Sequence, residues 1–496
     1  MKKRIIALAL AVCTVFTGCS DKTDSSSSSA EKVQTLNTGT ETQETSRRKE
    51  DIVITLGLLN EPENKSFTKA IDDFNSADNG CRIETKYMSS RFEEDGGIHG
   101  YTEEEIGNID FNTLQMIMNE SGLDIIGGDT FGDNAKYELL KQKGAFVDLY
   151  EFMENDPEVN TSALNQHILE LNEIDGKLYS IPQFYDVHTV ISKSEYGGTK
   201  QNWSIDEFIE HWNSMPAGST IEGSNCAEYI FMELLRENLP AFVDEKNAKV
   251  SFDSYDFRKM IEFCKRFPSN NGQKADYDYT APMLTDNYWI RSVSDAIYTE
   301  MNYQTYEQKQ YRLREGGYTL VGYPTSDGKG AYLSTSYPGW SISAGSSDEK
   351  QEAAWKFIRQ FYTEEYQTEN CVMKNEYIDD KGTKKFYYQI DTGFCINNDA
   401  RKKIAENIVS GMYDSDEPVY AQGHEITGGK LKLDEEDCQF IENYVNSIER
   451  WDTRVDRELW WIVNDEVMTC LGGGQSVDTT IDMIQNRASL WVSERY

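Results

Sequence analysis

The chain holds little of what enzymes, metal sites and nucleic-acid binders are built from. Its 496 residues include five histidines, His99, His167, His188, His211 and His424, which are scattered and form no His-Glu-x-x-His pair. Nine cysteines occur without a Cys-x-x-Cys, at long and irregular spacings, so the ligand spacing of a zinc site is missing. There is no Gly-x-Ser-x-Gly elbow, and Gly472-Gly473-Gly474-Gln475-Ser476 lacks the lysine of a phosphate-binding loop. Basic residues are scarce: 49 Lys and Arg stand against 85 Asp and Glu, a formal net charge of −36. So acidic a chain lacks the basic patch that nucleic acid or an anionic membrane face requires. That many carboxylates offer pairs by abundance alone, which is no signal for glycoside hydrolysis. Past the N-terminus, no run approaches the roughly 20 apolar residues of a membrane-spanning helix. These absences argue against an enzyme, and no cofactor and no metal are expected.

The N-terminus is informative by what it contains. Met1-Lys2-Lys3-Arg4 precedes an apolar run from Ile5 to Phe16, the basic and hydrophobic regions of a secretory signal. Phe16-Thr17-Gly18-Cys19-Ser20 follows. Small residues directly before a cysteine look like a bacterial lipobox, in which cleavage precedes the cysteine and its thiol takes a diacylglycerol; Phe16 stands where leucine is usual. The reading is a signal peptide over residues 1–18 and lipidation at Cys19. The alternative is a plain secretion signal with an incidental cysteine, such as Cys13. Residues 19–50 then make an anchor and linker, rich in Ser, Thr and Gln and too poor in apolar side chains to repay ordering. Seven cysteines remain, Cys81, Cys226, Cys264, Cys371, Cys395, Cys438 and Cys470. Buried free thiols are the expectation for most of them, with any pairing left open.

The remaining body, about 450 residues, is enough for two or three domains. Ile52 to Gly57 reads as a strand. Phe67, Ala70, Ile71 and Phe74 mark a helix face. Arg82 to Tyr87 alternates as a strand, Leu114 to Met118 reads as helix, and Leu123 to Gly128 is a short strand ending in glycines. Alternating strands and helices imply a parallel sheet, with ligands at the carboxyl ends of its strands, where Gly57, Gly127 and Gly128 permit close approach. Ser204-Ile205-Asp206-Glu207 and Ser346-Ser347-Asp348-Glu349 read as capping boxes. The latter opens a helix with Ala354, Phe357, Ile358 and Phe361 inward. A last helix spans 478–495, with Ile481, Ile484, Ala488 and Trp491 facing in.

Several local patterns in this order resemble the family 1 extracellular solute-binding proteins, a group that includes maltodextrin-binding proteins. They are Ile71-Asp72-Asp73-Phe74-Asn75, Leu123-Asp124-Ile125-Ile126 before Lys143-Gly144-Ala145-Phe146-Val147-Asp148-Leu149, and Glu173-Ile174-Asp175-Gly176-Lys177-Leu178-Tyr179-Ser180-Ile181-Pro182. Asn202-Trp203-Ser204-Ile205-Asp206-Glu207-Phe208, Ala353-Ala354-Trp355-Lys356-Phe357-Ile358 and Gly393-Phe394-Cys395-Ile396-Asn397 complete the set. The resemblance implies an α/β, periplasmic-binding-protein-like fold of two lobes with a ligand cleft between them. By analogy with the family's crossings, lobe 1 holds 51–180 plus 294–332, and lobe 2 holds 181–293 plus 333–496. Segments 89–113, 371–390 and 414–437 look like insertions.

The same resemblance implies a monomer on the extracellular face of the cell membrane. It would capture a carbohydrate, an oligosaccharide by preference, for the permease subunits of an ABC importer. A ligand sensor for a membrane kinase, a non-sugar solute, and a surface glycan hydrolase or adhesin remain as alternatives. Aromatic rings stack on sugar faces while Asp, Glu and Asn bond hydroxyls. Position at the mouth of the implied cleft selects Asn60, Glu61, Asp129, Tyr185, Asn302, Tyr303, Tyr337 and Trp340 as ligand contacts. Trp289 is a weaker candidate.

Overall fold

The computed structural model describes residues 51–62, 65–88, 111–128, 130, 134–221, 225–244, 247–269, 285–286, 317–335, 339–378, 381–389, 393–413, 419–421, 424–427, 434–452 and 457–495. The chain weaves between two hydrophobic cores. It opens with β1 (Ile52–Leu58), α1 (Lys65–Ser76) and β2 (Cys81–Tyr87). Phe67, Ala70, Ile71 and Phe74 of α1 are all buried, as their spacing predicts. Each such burial is worth about 1.5–3 kcal/mol for the larger side chains. In β2, Cys81 and Ile83 face inward while Arg82 and Glu84 face solvent. Asn75 finishes this unit, because its side-chain amide bonds both the N–H and the carbonyl of Ile83 at 2.7 and 2.9 Å. Next come α2 (Phe111–Ser121), β3 (Ile125–Gly127) and α3 (Asn134–Gln142). β1 lies between β2 and β3, parallel to both, with Leu58 opposite Tyr87 and Gly57 opposite Ile126. Alternate side chains of β3 enter different clusters: Ile125 joins the first core, and Ile126 packs with Leu114, Tyr137 and Phe146.

The first passage to the second core runs through β4 (Phe184–His188) and β5 (Ile191–Lys193). There α4 (Ile205–Ser214), α5 (Ala227–Asn238) and α6 (Tyr255–Cys264) gather Trp203, Phe231 and Phe257. The expected capping box at Ser204 and Glu207 is present in both directions. β6 (Tyr318–Leu320), antiparallel to β5, and β7 (Tyr332–Ser334), antiparallel to β4, carry the chain back.

β8 (Trp340–Ile342) then joins the first sheet, antiparallel to β3. α7 (Asp348–Ile358) covers β1, and α8 (Glu364–Cys371) leads to a hairpin of β9 (Met373–Ile378) and β10 (Lys384–Gln389). β11 (Phe394–Cys395) pairs with β4, and α9 (Asn398–Val409) and α10 (Glu435–Asn446) complete the first core. A third passage brackets Leu333, whose N–H donates to Arg450 at 2.8 Å and whose carbonyl accepts from Asp452 at 2.7 Å. α11 (Arg457–Leu471) and α12 (Val477–Arg495) finish the second core, with Ile481, Ile484, Ala488 and Trp491 buried as expected.

Two α/β lobes thus form, but their boundaries differ from those implied by the resemblance. Ile181, Phe184 and Val187 still pack in the first core, so the first passage begins near 188 rather than 180. Residues 318–332 pair with and pack against the second lobe, apart from Leu320 and Ala331. β8, α7, α8, β11, α9 and α10 belong to the first lobe, because a three-residue strand pairs with β3 and returns the chain to the first core as far as α10. Segment 371–390 contains the β9–β10 hairpin, and within 414–437 a short hairpin pairs Val419–Ala421 with His424–Thr427. Segment 89–110 lies outside the described residues. The second expected capping box does not form. Ser347 is the N-cap of α7 without a side-chain bond, and Ser346 donates instead to Asp124 at 2.6 Å. The seven cysteines beyond Cys19 are free thiols, all buried except the half-buried Cys438. No described helix is long and apolar enough to cross a membrane.

Candidate functional site

Parallel β1 and β3 deliver their carboxyl ends to one edge of the first sheet. Antiparallel β8 begins at that edge, with Trp340 opposite Gly127. Asn60 and Glu61 follow the end of β1 directly and are exposed. The topology therefore gathers Trp340, Gly127, Thr130, Asn60 and Glu61 at one edge. Asp129 lies outside the described residues, as do Asn302, Tyr303, Tyr337 and Trp289.

The edge is held by buried hydrogen bonds. The Thr130 hydroxyl donates to the carbonyl of Gly57 and accepts from the N–H of Gly127, both at 2.9 Å, tying the two strand ends together. A Cβ at Gly57 would stand 2.9 Å from Leu123 and 3.0 Å from Thr130, so the protein's own side chains fill that space rather than leaving it to a ligand. The Tyr137 hydroxyl donates to the carbonyl of Gly339 at 3.0 Å and lies 2.6 Å from Ser341 Oγ. Asp124 sits behind the edge, 3% exposed. Its carboxylate accepts from the Thr55 N–H at 2.9 Å, the Ser346 hydroxyl at 2.6 Å and Lys350 Nζ at 2.7 Å, joining β1 to α7.

Trp340 is 7% exposed, with its ring stacked on Phe67 at 5.2 Å and 8°. Its indole N–H is buried without an acceptor among the described residues. Tyr185, by contrast, belongs to the sheet of β7, β4 and β11 and is fully buried, its ring 5.7 Å from Phe394. Its hydroxyl accepts from Arg401, which also donates to Asn398 and Glu442 at 2.8 and 2.6 Å. Burial, only partly opposed by that guanidinium, pushes the phenol up to about 12. The structure does not place Tyr185 at the edge that holds Trp340.

Sequence reasoning missed the residues that join the passages. His188 bonds the Ser334 hydroxyl at 2.7 Å and stacks on Tyr332, and the Arg450 guanidinium lies 4.6 Å from the same ring. The four residues come from three passages, Tyr332 and Ser334 sharing β7, so no local spacing signals the cluster. Among the described residues, no group of His, Cys, Asp and Glu is arranged to hold a metal.

A family model described as bacterial extracellular solute-binding protein matches residues 116–378. The chain belongs to this family, one of binding proteins rather than enzymes. No curated protein matches the chain by sequence. Solved structures of like fold include a periplasmic oligogalacturonide-binding protein from Yersinia enterocolitica, 13% identical, covering 90% of this chain and 100% of that one, with a TM-score of 0.50. A family 1 extracellular solute-binding protein from Alicyclobacillus acidocaldarius is 13% identical over 90% of this chain and 99% of its own, with a TM-score of 0.47.

Proposed function

We propose that this protein captures an oligosaccharide between its lobes and delivers it to the permease subunits of an ABC importer. The observation that carries the reading is the buried indole N–H of Trp340 at the strand edge, which has no acceptor among the described residues. A buried donor without an acceptor costs about 1–3 kcal/mol, and a sugar hydroxyl arriving as ligand would satisfy it. Exposed Asn60 and Glu61 supply the donors and acceptors that paired hydroxyls need. Asp129, Asn302, Tyr303 and Tyr337 complete the proposed contacts. Tyr185 is assigned a supporting role, holding Arg401 behind the first passage. An oligogalacturonide-binding protein of like fold indicates that this architecture can hold a sugar chain. Closure follows population shift, because a ligand touching both lobes favours the closed form.

In the same reading Cys19 carries a lipid, residues 20–50 tether a monomeric body outside the membrane, and lobe 1 comprises about 51–188 and 333–450. Thermal unfolding of residues 50–496, one compact unit, against mono- and oligosaccharides, peptides and polyamines tests the cargo. An oligosaccharide at 100 times its dissociation constant stabilises the fold by about 2.7 kcal/mol. Stabilisation by a peptide or polyamine alone would refute the carbohydrate assignment. For the anchor, Cys19→Ser should move the protein from the membrane fraction to the medium; an unchanged distribution would refute lipidation.

A further inference from the structure

Cys371 closes the last turn of α8, and Cys395 lies in β11. The β9–β10 hairpin leaves the first core at one of these residues and returns at the other. Both side chains are 1% exposed. The Cys371 thiol donates to the carbonyl of Gly393 at 3.2 Å, two residues before Cys395. The Cys395 thiol donates to the carbonyl of Gln367 at 3.6 Å, one helical turn before Cys371. These contacts are reciprocal, so each thiol lies against the backbone segment that carries the other. Other cysteines face different chemistry. Cys81 lies on Asn79, Cys226 donates to Glu228 at 3.2 Å, and Cys470 sits 3.9 Å from Lys265 Nζ. Cys438 is surrounded by Asp434, Glu435 and Asp437.

We propose that Cys371 and Cys395 form a disulfide when the chain meets an oxidising medium, making a redox-controlled staple at the root of the hairpin. The co-reactant is a low-molecular-weight disulfide. The thiolate of Cys371 attacks it, forming a mixed disulfide and releasing one small thiol. Cys395 then attacks the Cys371 sulfur and releases the second. The protein pair loses two electrons and two protons, and the external disulfide is reduced to two thiols. Burial pushes the Cys395 thiol well above its ordinary range, so in the folded chain that thiol stays protonated and slow to react. Oxidation therefore belongs to folding, before the hairpin packs.

The staple has a structural consequence. Cys395 pairs with Phe184, and Gln367, one turn before Cys371, donates to the carbonyl of Gln183 at 2.9 Å. Closing the bond fixes the end of α8 and β11 together against the strand that starts the first passage.

The test is mass mapping of the chain refolded with oxidised glutathione, alkylated with N-ethylmaleimide under denaturing conditions and digested. The expected result is one linked peptide pair joining Cys371 and Cys395, lighter by about 2 Da than its separate thiol peptides. Cys81, Cys226, Cys264, Cys438 and Cys470 should all carry the alkyl group. Alkylation of Cys371 and Cys395, or a bond joining either to another cysteine, would overturn the proposal. As a second readout, oxidation should raise the melting temperature of the chain and of Cys438→Ser but not of Cys371→Ser. A rise that persists in Cys371→Ser would place the bond elsewhere and overturn it as well.

Discussion

The imidazole of His188 lies flat on the ring of Tyr332, with centroids 4.5 Å apart and planes within 4°. Arg450 lies over the same ring and donates to the buried Glu237 carboxylate at 3.2 Å and to the Glu237 carbonyl at 3.1 Å. Three passages between the lobes are thereby fastened to α5 of the second lobe. The fastening sits where the chain passes between the two cores.

Arg450→Met should cost about 1.5–3 kcal/mol in urea unfolding, because the buried Glu237 carboxylate then keeps Arg236 as its one basic partner among the described residues. Burial already pushes the Glu237 carboxyl up from 4.5, against the pull of Arg236 and Arg450. A raised carboxyl binds its proton more tightly in the folded chain, so its effect on stability is unfavourable as pH rises above 4.5. The penalty of Arg450→Met should therefore grow from acid toward neutral pH. A penalty that does not change with pH would contradict a charged role for this pair.

Asp156 has the opposite sign. Burial alone would raise its carboxyl. Two bonds from Arg359 Nη1 at 2.7 and 2.8 Å, the N–H of Glu158 and the Trp355 indole outweigh burial and hold it below 3.8. A depressed carboxyl contributes stability that is complete above 3.8 and is lost as pH falls through its folded value. Asp156→Asn should cost about 2 kcal/mol at pH 7, measured by denaturant titration, and the gap from the parent chain should close as pH falls below 3.8.

Gly339 packs so closely on Ile181 that a Cβ would collide with the Ile181 backbone. Gly339→Ala should cost about 1–3 kcal/mol by overpacking and shift the start of β8. Trp340→Phe keeps the stack on Phe67 but deletes the indole N–H. Its melting temperature should fall little, while the stabilisation given by an oligosaccharide should shrink. Equal ligand stabilisation in both proteins would remove Trp340 from the site.

Much of the first sheet was legible because its signals are local. The stripe of Phe67, Ala70, Ile71 and Phe74 and the alternation around Ile83 each need only one element's periodicity. The capping box at Ser204 is equally local, whereas at α7 Ser346 is drawn to Asp124, over two hundred residues away in sequence. The return of β8 to β3 was not legible, since three residues carry too little pattern to name a partner. That single pairing moved the lobe boundary. Strand direction, which the sequence conveys, brings Asn60, Glu61 and Trp340 to one sheet edge. Tyr185 is not among them, because a ring following a crossing can turn into the core as readily as into a cleft.

The most direct measurement of the central claim is small-angle X-ray scattering of residues 50–496 titrated with the oligosaccharide that stabilises the fold. Solute capture between two lobes predicts that the radius of gyration falls over the same concentration range in which the melting temperature rises. Stabilisation at saturation with an unchanged radius would contradict the account, since the solute would then be held without closing the lobes.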